Sequence, residues 1–239
     1  MITYSGKALK FNNKWFRNVG GSPTPVDPYN PLGLPPYTLR FQFGEPVADS
    51  EDLSCNMMAG YTWTKVDADG YIWDWTYEDP DWSAAWDENQ AGPGPVNILG
   101  GNTTGVTSMY NLFFRNILAS CATFDTSSVE NFEGMFTDDF YLTVAPSFDT
   151  SSATNIAGMF ARTGISSIPD YDLSNVEEAG YAFAYCENVA SGALAAYNQL
   201  SNNGVCEGHN YTFTDCGKDT VTGAAELAQI PSSWGGTGS

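Results

Sequence analysis

The chain has 239 residues, a formal net charge of −19 and five cysteines. This length can bury a hydrophobic core without disulfides or metals, and an odd number of cysteines without a CxxC pair excludes a disulfide framework and a zinc site. The acidity argues against nucleic acid and anionic membranes as partners of the main body. Many aromatic residues (14%) and few charged ones (15%) are typical of extracellular or virion proteins.

Basic residues gather at the N-terminus. Four of the nine precede residue 18, and the first acidic residue is Asp27. Residues 1–19 are therefore a candidate attachment peptide that docks on an acidic neighbour, the alternative being a solvated arm. Its candidate contact residues are Lys7, Lys10, Lys14, Trp15, Phe16 and Arg17. Residues 1–36 contain no apolar run typical of a signal peptide, so we expect synthesis in the cytoplasm without the usual export route.

Residues 20–37 hold six of the thirteen prolines, which predicts an extended, semi-rigid linker. Residues 38–100 are predicted to form a small β-rich capping domain, because four segments there have strand-like patterns. We expect them to form an antiparallel sheet. The segments are TLRFQF from Thr38, YTWTKV from Tyr61, YIWDWTY from Tyr71 and VNILGG from Val96.

Two local signals lie within the capping domain. Asp67-Ala68-Asp69-Gly70 predicts a tight turn between two strands; an acidic pair of this kind also begins calcium loops, but strand-like residues follow it. Asp81 is the predicted N-cap of a short helix that places Trp82 and Trp86 on one face.

Aromatic rings cluster in the same domain. Flat rings stack on sugars as well as they pack in a core, and strand alternation places some of them on one face of the sheet. Most are expected in the core. The candidate ligand contacts are Trp63, Trp73 and Trp75.

From residue 101 the chain repeats with a period of 23 to 24 residues. The aligned segments begin at Val106, Val129, Ala153 and Val176. A fixed period in this range is typical of solenoid proteins. Residues 101–190 therefore predict a short, four-unit, leucine-rich-repeat-like solenoid, and the whole chain is predicted to be an α/β protein.

Each unit combines three local signals. Apolar residues at i, i+3, i+6 and i+7, as from Val129 to Phe136, predict a short helix. An Asp-Thr-Ser-Ser run before it offers capping side chains, and β-branched segments between units predict short strands. Stacked units must share one core. Its predicted aromatic residues are Phe113, Phe136, Phe160 and Phe183.

Residues 191–239 depart from the period and are predicted to form a helical C-terminal cap. One helix is expected from Gly192 to Leu200, and a second, beginning near Gly223, is expected to stop at Pro231. Such elements close the exposed end of a solenoid.

The units FDTSSVENFEGMF and FDTSSATNIAGMF resemble the BspA-like leucine-rich-repeat family of bacterial surface proteins over residues 101 to 190. The flanking segments IWDWTYEDPDWSAAW and SGALAAYNQL resemble repeat proteins of tailed bacteriophages of gut bacteria. The resemblance implies an exposed recognition or decoration module that contacts host surface material. Ala153 and Ala179 depart from the family pattern, in which larger residues stand at these positions.

Catalytic signals are sparse. The single histidine, His209, has no nucleophile-elbow motif beside it, and no glycine-rich phosphate loop occurs. Paired acids are the remaining candidates, because two carboxylates can cleave a glycan, although solvated acids are the simpler interpretation. These pairs are Asp79 with Asp81, Asp138 with Asp139, and Glu177 with Glu178.

We therefore predict a structural or adhesive virion protein of a tailed bacteriophage, a head or tail fibre component or decoration protein, without enzymatic activity, cofactor or metal. Its N-terminal segment is expected to bind other virion proteins, and its repeats a host surface glycan or protein. A homo-oligomer, as in trimeric fibres, is expected on the virion surface. The alternatives are an adhesin on the bacterial cell surface and a polysaccharide-degrading appendage enzyme.

Overall fold

The computed structural model describes residues 27–47, 61–82 and 95–239, together with the backbone of two short strands, Leu9–Phe11 (β1) and Lys14–Phe16 (β2). These strands pair antiparallel, with Lys10 opposite Trp15. The predicted attachment peptide thus contains a hairpin. Lys7 and Arg17 lie outside the described residues, and so does the segment 83–94 in which the helix containing Trp86 was expected.

A five-stranded open sheet forms the N-terminal part of the described chain. Its strands are Thr38–Gln42 (β3), Tyr61–Lys65 (β4), Ile72–Tyr77 (β5), Val96–Asn102 (β6) and Leu118–Cys121 (β7). They lie in the order β4-β5-β3-β6-β7. The first four are the predicted strands and pair antiparallel; β7 was missed and pairs parallel with β6, so the sheet is mixed and not purely antiparallel.

The hairpin between β4 and β5 uses the predicted Asp-Ala-Asp-Gly turn. Asp67 Oδ1 accepts a 2.7 Å hydrogen bond from the Ile72 N–H, and this bond lowers the pKa of the Asp67 carboxyl. The carboxylate therefore stabilises the turn. Among the described residues, no group of three or more His, Cys, Asp or Glu side chains is arranged to hold a metal ion.

Residues 27–37, the described part of the predicted linker, form successive turns instead of an extended segment. The Asn30 N–H donates to the Asp27 carbonyl, and the Gly33 N–H donates to the Asn30 carbonyl. Leu34 is buried, and its carbonyl accepts a hydrogen bond from the Asn102 side chain in β6. This segment is therefore attached to the sheet.

The repeat region consists of turns, and the short helices and strands predicted within it do not form between residues 122 and 192. Five segments, which we call rungs, have the same backbone pattern and lie one on the next. They are residues 109–116, 132–139, 156–163, 179–186 and 209–216. Isolated parallel bridges join successive levels, for example Asn131 to Asn155 and Asn155 to Glu178.

Backbone hydrogen bonds alternate within each rung. In the second rung, Phe132, Gly134, Phe136 and Asp138 donate their N–H groups to carbonyls of the next level, at 2.8 to 2.9 Å. The N–H groups of Met135, Thr137 and Asp139 donate to carbonyls three residues earlier, and that of Glu133 donates to Asn131 Oδ1. An α-helix would use all of these groups internally; here half of them join neighbouring levels.

This pattern requires two left-handed residues in every rung. Gly134 has a φ of +67° and Gly158 a φ of +64°, and each stands at the i+2 position of a turn, where positive φ favours glycine. The Gly-Met-Phe sequence of the repeat thus sets a turn and interrupts the helix that its apolar spacing predicts.

The Asp-Thr-Ser-Ser runs at 125–128 and 149–152 precede the second and third rungs, and they close turns instead of capping the predicted helices. Asp149 Oδ1 accepts hydrogen bonds from the N–H and hydroxyl of Ser151, which closes a local turn. The buried Thr126 hydroxyl donates to the Asp149 carbonyl of the next unit at 2.9 Å. Each run therefore closes its own turn and joins two units.

Two helices complete the described chain, Ala193–Asn202 (α1) and Val221–Leu227 (α2), near their predicted positions, followed by a 3₁₀ turn at Ser232–Trp234. Thr220 caps α2 by accepting the Gly223 N–H at 3.0 Å. The predicted mixed α/β class is confirmed. No helix of the described residues is both long and apolar enough to span a membrane.

Candidate functional site

A ladder of phenylalanine rings runs through the centre of the rungs. Phe113, Phe136, Phe160 and Phe183 are fully buried, and consecutive rings are 5.2 to 6.1 Å apart between centroids. Phe213 adds a fifth ring, 5.7 Å from Phe183. Continuous stacking of this kind makes the arrangement of the rungs rigid, because buried rings tolerate little displacement.

The fifth rung was missed from the sequence, although a signal for it exists. Phe213-Thr214-Asp215 repeats Phe136-Thr137-Asp138, but it follows the fourth unit after 30 residues instead of 23 or 24. The extra residues include α1, which interrupts the period.

The left-handed residues form two columns that run from rung to rung, and we call these two columns together the turn face. The first column is Asn111, Gly134, Gly158, Tyr181 and Tyr211; the second is Arg115, Asp138, Arg162, Tyr185 and Asp215. Neighbours within a column belong to adjacent rungs, whose backbones are hydrogen-bonded. Side chains of one column therefore lie side by side.

The first column ends in two exposed tyrosines. Tyr181 is 45% exposed and Tyr211 is 56% exposed, and their rings stack with centroids 5.1 Å apart. Rings held in place by each other lose little conformational freedom on binding a ligand. They form a flat, amphipathic patch on the surface.

The second column carries alternating charges. Asp138 lies 3.3 Å from the Arg115 guanidinium and 3.6 Å from that of Arg162. Lys218 follows Asp215, the last member of this column, by three residues. Its ammonium group contacts Asp215 at 3.0 Å and Glu187 at 2.5 Å. Residues 101–239 contain three basic and fifteen acidic residues. All three basic residues lie along this edge, each beside a carboxylate.

A cleft of about 320 Å³ opens beside the second column, near the lower end of the range for small-molecule sites. Its lining combines rings, a cation, an anion, a hydroxyl and an amide: Phe140, Arg162, Thr163, Gly164, Tyr185, Glu187 and Asn188. These groups include both donors and acceptors beside apolar surface.

The cleft residues are held by the rungs. The Arg162 guanidinium lies over the Tyr185 ring, 5.4 Å from its centroid, a cation–π arrangement. A Cβ on Gly164 would lie 2.5 Å from the Phe140 carbonyl oxygen, so this position excludes a side chain. Phe140 itself is 64% exposed, and its ring is a free apolar surface at the cleft.

The candidate tryptophans lie elsewhere, in the sheet. Trp73 is 2% exposed and Trp75 1% exposed, because both point to the core face of β5. Trp63 is half-buried, with its ring edge-on to Phe41 at 5.0 Å. Ligand contact by these residues stays a prediction, and the two buried rings offer no surface for it.

The candidate attachment residues are described only in part. Lys10, Lys14, Trp15 and Phe16 belong to β1 and β2, for which the backbone alone is described. Their role in attachment therefore stays a prediction, as does the division of the chain into the five predicted domains.

Behind the turn face lies a buried polar column, one residue after each member of the second column: Asn116, Asp139, Thr163, Cys186 and Cys216. Burial raises the pKa of Asp139 to about 8, against the opposing effect of the Leu118 N–H, which donates to Asp139 Oδ1 at 2.9 Å. Asp138 instead pairs with surface arginines. These adjacent carboxyl groups thus occupy different environments.

His209 contributes to packing at the end of the rungs. Its ring stacks on Trp234 with centroids 3.9 Å apart and an interplanar angle of 8°. The Phe213 N–H donates to the Trp234 carbonyl at 2.9 Å, so the same tryptophan continues the hydrogen-bond pattern past the fifth rung.

Comparison with known proteins bears on the repeats. Neither the curated proteins nor the solved structures yielded a match to this chain. Residues 89–197 match a family model described as "Mycoplasma protein of unknown function, DUF285", a repeat family of the leucine-rich-repeat-like, BspA-like type. The match covers four of the five rungs and the cleft, and this segment is therefore similar to BspA-like repeats, as its motifs predict.

Proposed function

We propose that this protein is a non-enzymatic recognition module whose five rungs form a short solenoid and whose turn face binds material on a bacterial surface. The observation that carries the proposal is the pair of stacked, exposed tyrosines on a rigid, fully buried phenylalanine ladder. Exposed aromatic residues on a rigid scaffold are typical of binding surfaces, because they supply contact area at low entropic cost.

The charge of the chain narrows the class of partner. A body this acidic repels nucleic acid and anionic membranes, so a glycan or protein on the host surface is the expected ligand. This binding would require no cofactor.

Binding of the labelled full-length chain to intact bacterial cells tests the proposal. We expect the double variant Tyr181→Asn/Tyr211→Asn to bind at least tenfold more weakly, because asparagine tolerates the left-handed backbone but removes both rings. Tyr29→Ala, which removes an exposed ring elsewhere, is the matched control. Equal binding by the double variant and the unchanged chain would contradict the proposal.

We further propose that the chain is displayed on the virion of a tailed bacteriophage, as a head or tail fibre component or decoration protein attached through residues 1–19, and that it forms a homotrimer. The resemblance of the flanking segments to phage repeat proteins supports this placement. Mass spectrometry of purified particles should find the chain in stoichiometric amounts, and light scattering should give three times its 25.8 kDa mass. Its recovery from a bacterial envelope fraction instead would favour the adhesin.

A further inference from the structure

The cleft beside the second column is suited to a particular class of ligand. Phe140 presents an exposed ring, and Arg162, Glu187 and Asn188 place a guanidinium, a carboxylate and an amide at the same opening. A sugar has an apolar C–H face and a ring of hydroxyl groups that both donate and accept hydrogen bonds. The apolar face suits the Phe140 ring, and the hydroxyl groups suit the mixed donors and acceptors.

The charges of the lining determine which sugars fit. Arg162 and Glu187 are the only charged residues of the lining, and their formal charges cancel. Each already has an oppositely charged neighbour, Asp138 at 3.6 Å and Lys218 at 2.5 Å respectively. An anionic sugar would have to compete with Asp138 for Arg162, in the field of an acidic body. An uncharged sugar meets neither obstacle.

The cleft is also formed in advance. Arg162 is positioned on the Tyr185 ring, and Gly164 lies against the Phe140 carbonyl. Arg162 and Tyr185 are left-handed residues of adjacent rungs. The Arg162 N–H donates a 2.9 Å hydrogen bond to the Ala184 carbonyl, which joins the two rungs beside the cleft. Little ordering is then required on binding, which favours affinity for a small ligand.

From this arrangement we propose that the cleft lined by Phe140, Arg162, Tyr185, Glu187 and Asn188 is a binding site for an uncharged saccharide. The inference rests on the proposed recognition function and names its ligand class. Phe140 stacks on the sugar ring, and Glu187 and Asn188 bind its hydroxyl groups.

The test begins with binding of the full chain to an oligosaccharide array. The array contains neutral hexose and N-acetylhexosamine oligosaccharides beside acidic ones that carry uronic or sialic acid. The affinity for the neutral oligosaccharide that binds most tightly is then measured by titration calorimetry. Phe140→Ala is expected to weaken binding at least tenfold. Tyr141→Ala is the matched control, because Tyr141 is adjacent and equally exposed at 64% but does not line the cleft. It should change the affinity less than twofold, and both variants should keep the circular dichroism of the unchanged chain.

Each other outcome has a defined meaning. Preference for the acidic oligosaccharides would overturn the assignment of an uncharged ligand, and equal losses in Phe140→Ala and Tyr141→Ala would overturn the cleft as the site. If the chain binds a protein on the cells and none of the array saccharides, this inference is overturned but the recognition function stands. Failure to bind either cells or saccharides would overturn both.

Discussion

Asp139 brings a carboxyl group into the core at a position where the neighbouring rungs have Asn116 and Thr163. In an unfolded chain this carboxyl ionises near pH 4, whereas burial raises its pKa in the folded protein to about 8. Between these values the folded state holds the extra proton. The contribution of Asp139 to stability therefore falls as the pH rises, by up to about 1.4 kcal/mol for each pH unit.

Asp139→Asn should remove this dependence. The amide oxygen can still accept the Leu118 N–H, and an uncharged side chain has no proton to lose. We expect the free energy of unfolding of the variant to exceed that of the unchanged chain increasingly from pH 4 to pH 8, as measured by urea denaturation. Asp69→Asn, the same substitution at an exposed carboxyl, is the matched control for the loss of one acidic group. A constant difference for Asp139→Asn across this range would contradict the assignment.

Two glycines flank α1 with similar backbones but different surroundings. Gly192 has a φ of +99°, and a Cβ there would overlap the Ile168 carbonyl oxygen; Gly204 has a φ of +77° and nothing within 4 Å of a Cβ. Gly204→Ala should cost about 1 to 2 kcal/mol, the conformational cost alone. Gly192→Ala should cost clearly more, because the backbone must also shift. Urea denaturation of the two variants measures their free energies of unfolding. Equal losses would mean that the chain accommodates the Cβ at residue 192 without strain.

At the scale of elements, the phenylalanine ladder determines how strongly the rungs hold together. Phe160 stacks between Phe136 and Phe183, at 5.2 and 6.1 Å, and also against Tyr171. Phe160→Ala should lower the free energy of unfolding by about 3 to 5 kcal/mol through lost burial and the cavity left behind.

The control for this change is Phe140→Ala, the same substitution at a ring that is 64% exposed, which should stay within about 0.5 kcal/mol. Chemical denaturation measures the free energy of unfolding of both variants. A loss below about 1 kcal/mol for Phe160→Ala would show that the ladder contributes little to stability.

The turns explain why the predicted helices are absent. Spacing of apolar residues at i, i+3, i+6 and i+7 brings them to one side both in a helix and in this succession of turns. The glycine between Phe132 and Met135 stands at the left-handed position, and the free N–H groups pair with the next rung. Those partners lie about 23 residues away, so local spacing does not reveal them.

Across the whole molecule, each rung contacts mainly its neighbours, and stability should propagate along the stack. Trp234 closes the C-terminal end, where its ring lies on His209 and against Tyr197 at 5.4 Å. Trp234→Ala should therefore loosen the fifth rung most and each earlier rung progressively less.

Hydrogen exchange measures this gradient. The amide protons of Phe213 and Phe183 should exchange faster in Trp234→Ala, while that of Phe136 changes least. Val221→Ala, at a side chain that is 91% exposed, is the control and should leave all three rates unchanged. A uniform acceleration would instead show that the rungs unfold as one unit.

Local patterns were enough to predict the four strands, the turn at Asp67 and both C-terminal helices, because each of these depends on neighbouring residues. The period of the repeats was visible as a recurrence of the same residue types. The similarity to BspA-like repeats also followed from local motifs. The candidate binding residues did not follow from local patterns. Trp73 and Trp75, chosen because aromatic residues cluster and alternate along the strands, are buried, and the exposed tyrosines carry no distinctive local pattern.

The remaining features depend on contacts between distant parts of the chain. Strand β7 depends on parallel pairing with β6, and the fifth rung depends on hydrogen bonds across the 30 residues that include α1. The cleft brings Phe140, which directly follows the second rung, together with Arg162 of the third rung and Tyr185 of the fourth. Residues more than 20 positions apart become neighbours only when the rungs stack, and that long-range pairing creates both the turn face and the cleft.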